Sequence, residues 1–321
     1  MVEPLFVRPD VASFLDYLRQ ASANGVPAMH QMPLAQSRAA FVGMQQLADL
    51  PARPLAVIRD LTCPGPAGDI PLRLYDSRGE RAPGPVLVFY HGGGFVLGNL
   101  DSHHNVCTEI AAQMDLPLVA VDYRLAPEHP FPAAPEDAEA AARWIAGSPA
   151  ELGLATTGLV PIGDSAGGNL AIVVTQALVA KPAAVPVIAQ VPIYPLTDIV
   201  ADHAAFRQFS EGFLLDAAVM EWFNDAYQAD PESTRAFPLH AAHDRTPPTV
   251  LATASLDPIR DSGRGYGAAL VRAGSPLVFL ERVGTIHGFI QVRKAIPSAQ
   301  ADLEAILAAL RGVIAAPLPN V

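Results

Sequence analysis

The chain has 321 residues, half of them hydrophobic and 17% charged, which is enough for one large α/β domain or two small ones with a substantial core. Its formal charge of -11 argues against nucleic acid or an anionic membrane surface as a partner. Cys63 and Cys107 are the two cysteines and lack metal-ligand spacing, so neither a disulfide framework nor a metal centre is expected and a reducing cytoplasm fits.

In chain order, the first ten residues lack the basic stretch and apolar run of a signal peptide. No later apolar run is long enough to span a bilayer, so no stable membrane association is expected. Residues 1–50 read as two amphipathic helices. Val11, Phe14, Leu15 and Leu18 fall at i, i+3, i+4 and i+7, and a second such segment runs from about Ala35 to Leu50. Both precede any strand, so they are expected as a helical cap set on a main domain spanning 51–321.

Strands follow. Ala56–Leu61 and Ile70–Tyr75 alternate apolar and polar residues, as antiparallel edge strands do. Pro85–Tyr90, Pro117–Asp122, Gly158–Ile162, Val185–Ile193, Thr249–Ala254 and Pro276–Leu280 are continuous apolar runs that suit strands buried on both faces. Helical stretches separate most of them: Ser102–Met114, Ala134–Ala146, Gly168–Ala180 and Arg260–Ala273, with a last helix over Ala299–Ala315. The alternation predicts an α/β architecture with a mostly parallel central sheet flanked by helices. About 55 residues separate Tyr194 from Thr249, too many for a plain connection. Their segment rich in large apolar groups, Phe206 to Tyr227, predicts a second cap element at about 198–237.

The chemistry-bearing stretch is Gly163-Asp164-Ser165-Ala166-Gly167-Gly168-Asn169, placed between a buried strand and a helix. It matches G-x-S-x-G, the elbow that presents a serine Oγ at the top of an α/β-hydrolase sheet. Its glycines allow a turn too tight for a Cβ. A serine needs a base, an orienting acid and an anion site. His91-Gly92-Gly93-Gly94-Phe95 follows the strand ending at Tyr90, and its glycines let backbone N–H groups face a substrate carbonyl. Asp257 and His287 each follow a predicted strand, and the order Ser165, Asp257, His287 is the one this winding produces.

The set His91-Gly-Gly-Gly94, Tyr123–Glu128, Gly163–Gly168, Asp257–Asp261 and His287–Phe289 resembles the bacterial hormone-sensitive-lipase-type carboxylesterases, the family IV esterases of the α/β-hydrolase fold. The resemblance implies that Ser165 is the nucleophile, His287 its base and Asp257 the orienter, with the N–H groups of Gly93, Gly94 and Ala166 as the oxyanion hole. It implies a small-molecule ester substrate, no cofactor, and a homodimer. Family members often carry an acidic residue where Ser262 stands. Phe95, Phe209, Phe213, Leu214 and Ile286 are expected around the substrate, and a covered apolar pocket predicts acyl chains of about four to eight carbons. Missing Cβ atoms at Gly92, Gly93 and Gly94 are expected to leave room for a branched alcohol. Same-fold amidase, carbamate hydrolase and lactonase activities share every motif. A non-catalytic receptor would be expected to lose a triad member.

Overall fold

The computed structural model describes residues 5–315. Eight strands form one sheet: β1 (Val57–Gly65), β2 (Gly68–Asp76), β3 (Gly84–Tyr90), β4 (Leu118–Val121), β5 (Thr156–Asp164), β6 (Val191–Ile193), β7 (Thr249–Leu256) and β8 (Leu277–Ile286). Their spatial order is β1-β2-β4-β3-β5-β6-β7-β8. β2 runs antiparallel to both neighbours, and every pairing from β4 to β8 is parallel.

The parallel strands read as unbroken apolar runs because both faces are covered. Leu87 and Phe89 of β3 enter one core with α1 (Pro9–Ala23), α3 (His104–Met114) and α9 (Ser298–Ala315). Val86, Val88 and Tyr90 of the same strand enter the other, with α4 (Ala133–Ala146) and α5 (Ala166–Ala180). Each fully buried Val, Leu or Phe contributes about 1.5–3 kcal/mol. α8 (Arg260–Arg272) covers the far end of the sheet, where Tyr266 and Leu270 meet Leu251 of β7.

Three elements depart from the sequence reading. The run Val185–Ile193 forms only the short β6, while Val187 and Gln190 make isolated bridges. Pro186, at the start of the run, has no N–H to give a ladder. β8 continues past Leu280 to Ile286, because its charged residues pair rather than end it: Glu281 with Arg264, and Arg282 with Asp302. α1 is not set apart from the core. Val11, Phe14 and Leu15 are buried within it, and the Arg8 N–H donates to the Gly284 carbonyl at 3.1 Å.

α2 (Leu34–Ala48) is the second N-terminal helix. The long connection between β6 and β7 carries α6 (Ala204–Phe209) and α7 (Ala217–Tyr227).

Candidate active site

The carboxyl ends of the parallel strands assemble the site. Ser165 sits between β5 and α5 at φ 56°, ψ -118°, a sparsely populated conformation held by the turn around it. A Cβ on Gly167 would lie 1.9 Å from the Tyr90 carbonyl oxygen, so only glycine permits α5 to start so close to β3.

Asp257 follows β7 and His287 follows β8. The Asp257 carboxylate is wholly buried and accepts from His287 Nδ1 at 2.7 Å and from the Ile259 N–H at 2.8 Å. An ionised carboxylate only accepts, so Nδ1 carries the imidazole proton and Nε2 is left as acceptor. Ser165 Oγ lies 2.8 Å from that Nε2. Three residues from three strand ends therefore form one continuous line of hydrogen bonds. Asp261, the other carboxylate of that motif, accepts from the Ala205 N–H and pairs with Arg260 instead. Ser262 accepts from the Thr197 N–H at 2.6 Å and exchanges hydroxyl bonds with that threonine, tying α8 to the strand β6 exit.

Beside this line, the loop after β3 turns sharply. Gly93 has φ 124°, Gly94 φ 62° and Phe95 φ 63°. The Gly93 carbonyl accepts from Val96 and Leu97, at 3.1 and 2.8 Å. The N–H groups of Gly93, Gly94 and Ala166 donate to no acceptor among the described residues. Unpaired donors of this kind are what an oxyanion site needs.

Asp164 and His91, which the family resemblance marks for structural rather than chemical duties, support this line. Asp164, next to Ser165, is fully buried. It accepts from the Gly92 N–H at 2.9 Å, from His103 at 3.2 Å, from Tyr194 Oη at 3.3 Å and from the Gln291 amide. Burial alone would raise its pKa, but His103 and these donors hold it below the ordinary carboxylate value. One carboxylate thereby joins the Ser165 turn to the glycine loop and to the segment after His287. His91 stacks on Tyr123 with ring centroids 4.3 Å apart, and Tyr123 Oη donates to the His91 carbonyl at 2.6 Å. Burial, with the neighbouring His103, drives His91 down to about 3, so it stays neutral.

An apolar cavity of ≈ 60 Å³ opens on Ser165, walled by Phe95, Leu196, Leu215, Met220, Phe223, Tyr227, Phe237 and Ile259. Cavities of ≈ 300 and ≈ 230 Å³ lie beside the outer half of α5 and beneath β3, and hold none of the residues above. Chemistry, not size, distinguishes the site.

Of the residues expected around the substrate, Phe95 lines this cavity and the others do not. Phe209 is buried in the core, edge-on to Phe213 and 5.3 Å beneath the Arg260 guanidinium. Ile286 is wholly buried in the same core. Leu214 packs instead beside Gly288, the residue after His287, where an added Cβ would lie 3.8 Å from Leu214 Cδ2. The signal for the true wall was Met220, Phe223, Asn224 and Tyr227 at i, i+3, i+4 and i+7, one face of α7.

The expected room at the glycines is also overturned. A Cβ on Gly92 would meet Asp164 Oδ2 at 2.5 Å, on Gly93 the Leu97 carbonyl oxygen at 2.2 Å, and on Gly94 the Phe223 ring at 2.1 Å. Their missing side chains admit protein, not alcohol.

Among the described residues no three metal-ligating side chains converge and no helix is long and apolar enough to cross a membrane.

Residues 87–291 match the family described as alpha/beta hydrolase fold. The carboxylic ester hydrolase LipN of Mycobacterium tuberculosis is 40% identical over 79% of this chain and 70% of its own. The ethyl acetate hydrolase of Pseudomonas putida is 32% identical over 95% and 98%. The solved structure of an ester hydrolase from the Lake Arreo metagenome is similar with a TM-score of 0.88 at 35% identity, covering 95% of this chain and 98% of that one.

Proposed function

The chain belongs to the α/β-hydrolase-fold family, among its bacterial hormone-sensitive-lipase-type carboxylesterases, and from this we propose that it hydrolyses short- to medium-chain carboxylic esters through an acyl-enzyme on Ser165. The single observation that carries the reading is the unbroken hydrogen-bond line Ser165–His287–Asp257 beside three unpaired N–H groups.

In the mechanism, Ser165 Oγ attacks the ester carbonyl carbon while its proton passes to His287 Nε2. The carbonyl π pair moves onto oxygen, and the N–H groups of Gly93, Gly94 and Ala166 receive the negative charge. Each such donor is worth about 3 kcal/mol of transition-state stabilisation. Asp257 stabilises the imidazolium and fixes its tautomer. Collapse breaks the ester C–O bond, and the departing alcohol oxygen takes the proton back from His287. Water then gives a proton to His287 and adds to the acyl carbon, and Ser165 leaves with that proton. The net change is ester plus water to acid plus alcohol.

The narrow apolar cavity supports acyl groups at the short end of the expected range. α2, α6 and α7 serve as the cap in this reading. It extends to a cytoplasmic homodimer, supported by two buried unpaired cysteines and by exposed Phe279 and Val283 on the edge strand β8; light scattering tests the pairing. A chain-length series of p-nitrophenyl esters, with the matching anilide, tests the activity. Ser165→Ala should abolish turnover with its melting temperature retained. A variant that keeps more than a trace of activity rules out Ser165 as nucleophile.

A further inference from the structure

The glycine loop is gripped from the cap. The Phe223 ring rests on Gly94, so closely that a Cβ there would fall 2.1 Å from Phe223 Cδ2. One turn along α7, Tyr227 stacks on Phe95 with ring centroids 3.9 Å apart and planes 7° from parallel. Phe131 closes the other side of Tyr227 edge-on, and its N–H donates to the Tyr227 carbonyl at 2.8 Å. The Tyr227 hydroxyl is buried with no partner among the described residues, so this residue acts through its ring and not its oxygen.

The two gripped residues are the ones whose backbone most needs holding. Gly94 and Phe95 stand consecutively at φ 62° and 63°. For a phenylalanine that region is disfavoured by its own Cβ. Released, Phe95 would relax to negative φ and turn the Gly94–Phe95 peptide plane, and Gly94, free to rotate on either side of its Cα, would carry that change to the plane holding its own N–H. The trailing side of the loop is pinned separately: Arg38 of α2 donates to the Val96 and Ala126 carbonyls, both at 3.0 Å, and the Ala126 N–H donates to the Phe95 carbonyl at 2.9 Å. The leading side is held by Asp164 through the Gly92 N–H. α7 bears on both Gly94 and Phe95 through side-chain packing.

We propose that Phe223 and Tyr227 are positioning residues for the oxyanion hole: α7 holds the Gly94–Phe95 backbone in its left-handed turn, so that seating of the cap and readiness of the anion site are one event. The inference rests on the esterase reading above. It differs from a wall-of-the-pocket role, because it acts on the charge that develops at the carbonyl oxygen whatever acyl chain is bound.

The test uses ethyl acetate, whose acyl group is a single methyl, and 1,1,1-trifluoroacetone, a ketone to which Ser165 Oγ adds to place a negative oxygen in the anion site. Phe223→Leu and Tyr227→Leu should each lower kcat by about tenfold or more, with KM changed by less than about threefold. The inhibition constant of the trifluoroketone should rise by the same factor as kcat/KM falls, because both report the same donors. Tyr227→Phe keeps the ring and should recover most of the Tyr227→Leu loss. A loss of kcat with an unchanged trifluoroketone constant overturns the inference, as does a Tyr227→Phe variant as impaired as Tyr227→Leu or a pair of leucine variants with full activity. If the leucine variants do not fold, Phe223→Tyr and Tyr227→Trp are measured instead, and tracking of the two constants decides in the same way. Wild-type protein inert toward every ester would defeat the esterase reading itself. An active wild type with unaltered variants defeats only this inference.

Discussion

Gly93→Ala separates two accounts of the glycine loop. If the absent side chain leaves space for the leaving alcohol, a methyl there should harm tert-butyl acetate more than n-butyl acetate. The structure says otherwise, since that methyl would lie 2.2 Å from the Leu97 carbonyl oxygen and 2.6 Å from its carbon. Both are backbone atoms and neither can rotate away. At φ 124° the residue also occupies a region reserved for glycine. Relief requires opening the turn, which loses the bonds from Val96 and Leu97 to the Gly93 carbonyl at about 1 kcal/mol each. The backbone strain adds roughly 1–3 kcal/mol. The melting temperature should fall by roughly 5 °C. Displacement of one anion-site donor should lower kcat by about 10²–10³. Both losses belong to the loop, so the fall in kcat/KM should be the same for the linear and tertiary esters within about threefold. Steady-state kinetics on the two acetates, wild type against variant, measure this. A selective loss on tert-butyl acetate would refute the reasoning and return the glycines to the alcohol pocket.

Three further outcomes are expected. Asp257→Asn should lower kcat by about four orders of magnitude, the loss known for the equivalent change in a serine protease; a fall of less than about tenfold would mean another carboxylate orients His287, which the pairing of Asp261 with Arg260 makes difficult. Met220→Ala, which opens the cavity at a nearly buried wall residue, should move the acyl optimum upward by roughly two carbons in a p-nitrophenyl ester series, and an unmoved optimum would place the acyl chain elsewhere. Burial, with the nearby Asp101 charge, pushes Asp122 up from 3.8 to about 6, so the folded chain holds a proton there that the unfolded chain releases, and stability falls as pH rises through that window. Asp122→Asn should therefore raise the melting temperature at pH 8 and leave it unchanged at pH 4, with a gain on the order of 1 kcal/mol once screening at a side chain 31% exposed is allowed for; a variant less stable at pH 8 would contradict it.

The sheet was legible where burial on both faces left an unbroken apolar run, as in β3. It was misread where that rule is broken for a local reason. Val185–Ile193 is apolar enough for a long strand, but Pro186 withholds an N–H at its start, and residues before Val191 join the sheet only through isolated bridges. β8 extends through Glu281 and Arg282 because an edge strand can pair its charges with Arg264 and Asp302. α1 has an amphipathic pattern that fixes which face is buried. It does not say against what, and the answer is the main core beside β8 and α9.

The site divides along the same line. Ser165, Asp257 and His287 could be picked from sequence because the winding puts a strand end before each, so topology does the work that distance does in space. The cavity wall has no such anchor. Phe209 and Phe223 look alike in the chain, yet one faces the core under Arg260 and the other rests on Gly94. The phase of α7 tells them apart only once the helix is known to lie over the glycine loop. The glycines carry the same lesson. A sequence records that a side chain is missing, but not what takes its place. Here Asp164, the Leu97 backbone and the Phe223 ring each fill one vacancy, from the Ser165 turn, the loop itself and α7. The three-glycine motif is therefore a packing requirement met from three sides, and this explains how a loop with so little intrinsic stiffness can hold the Gly93 and Gly94 N–H groups in place with no acceptor among the described residues to fix them.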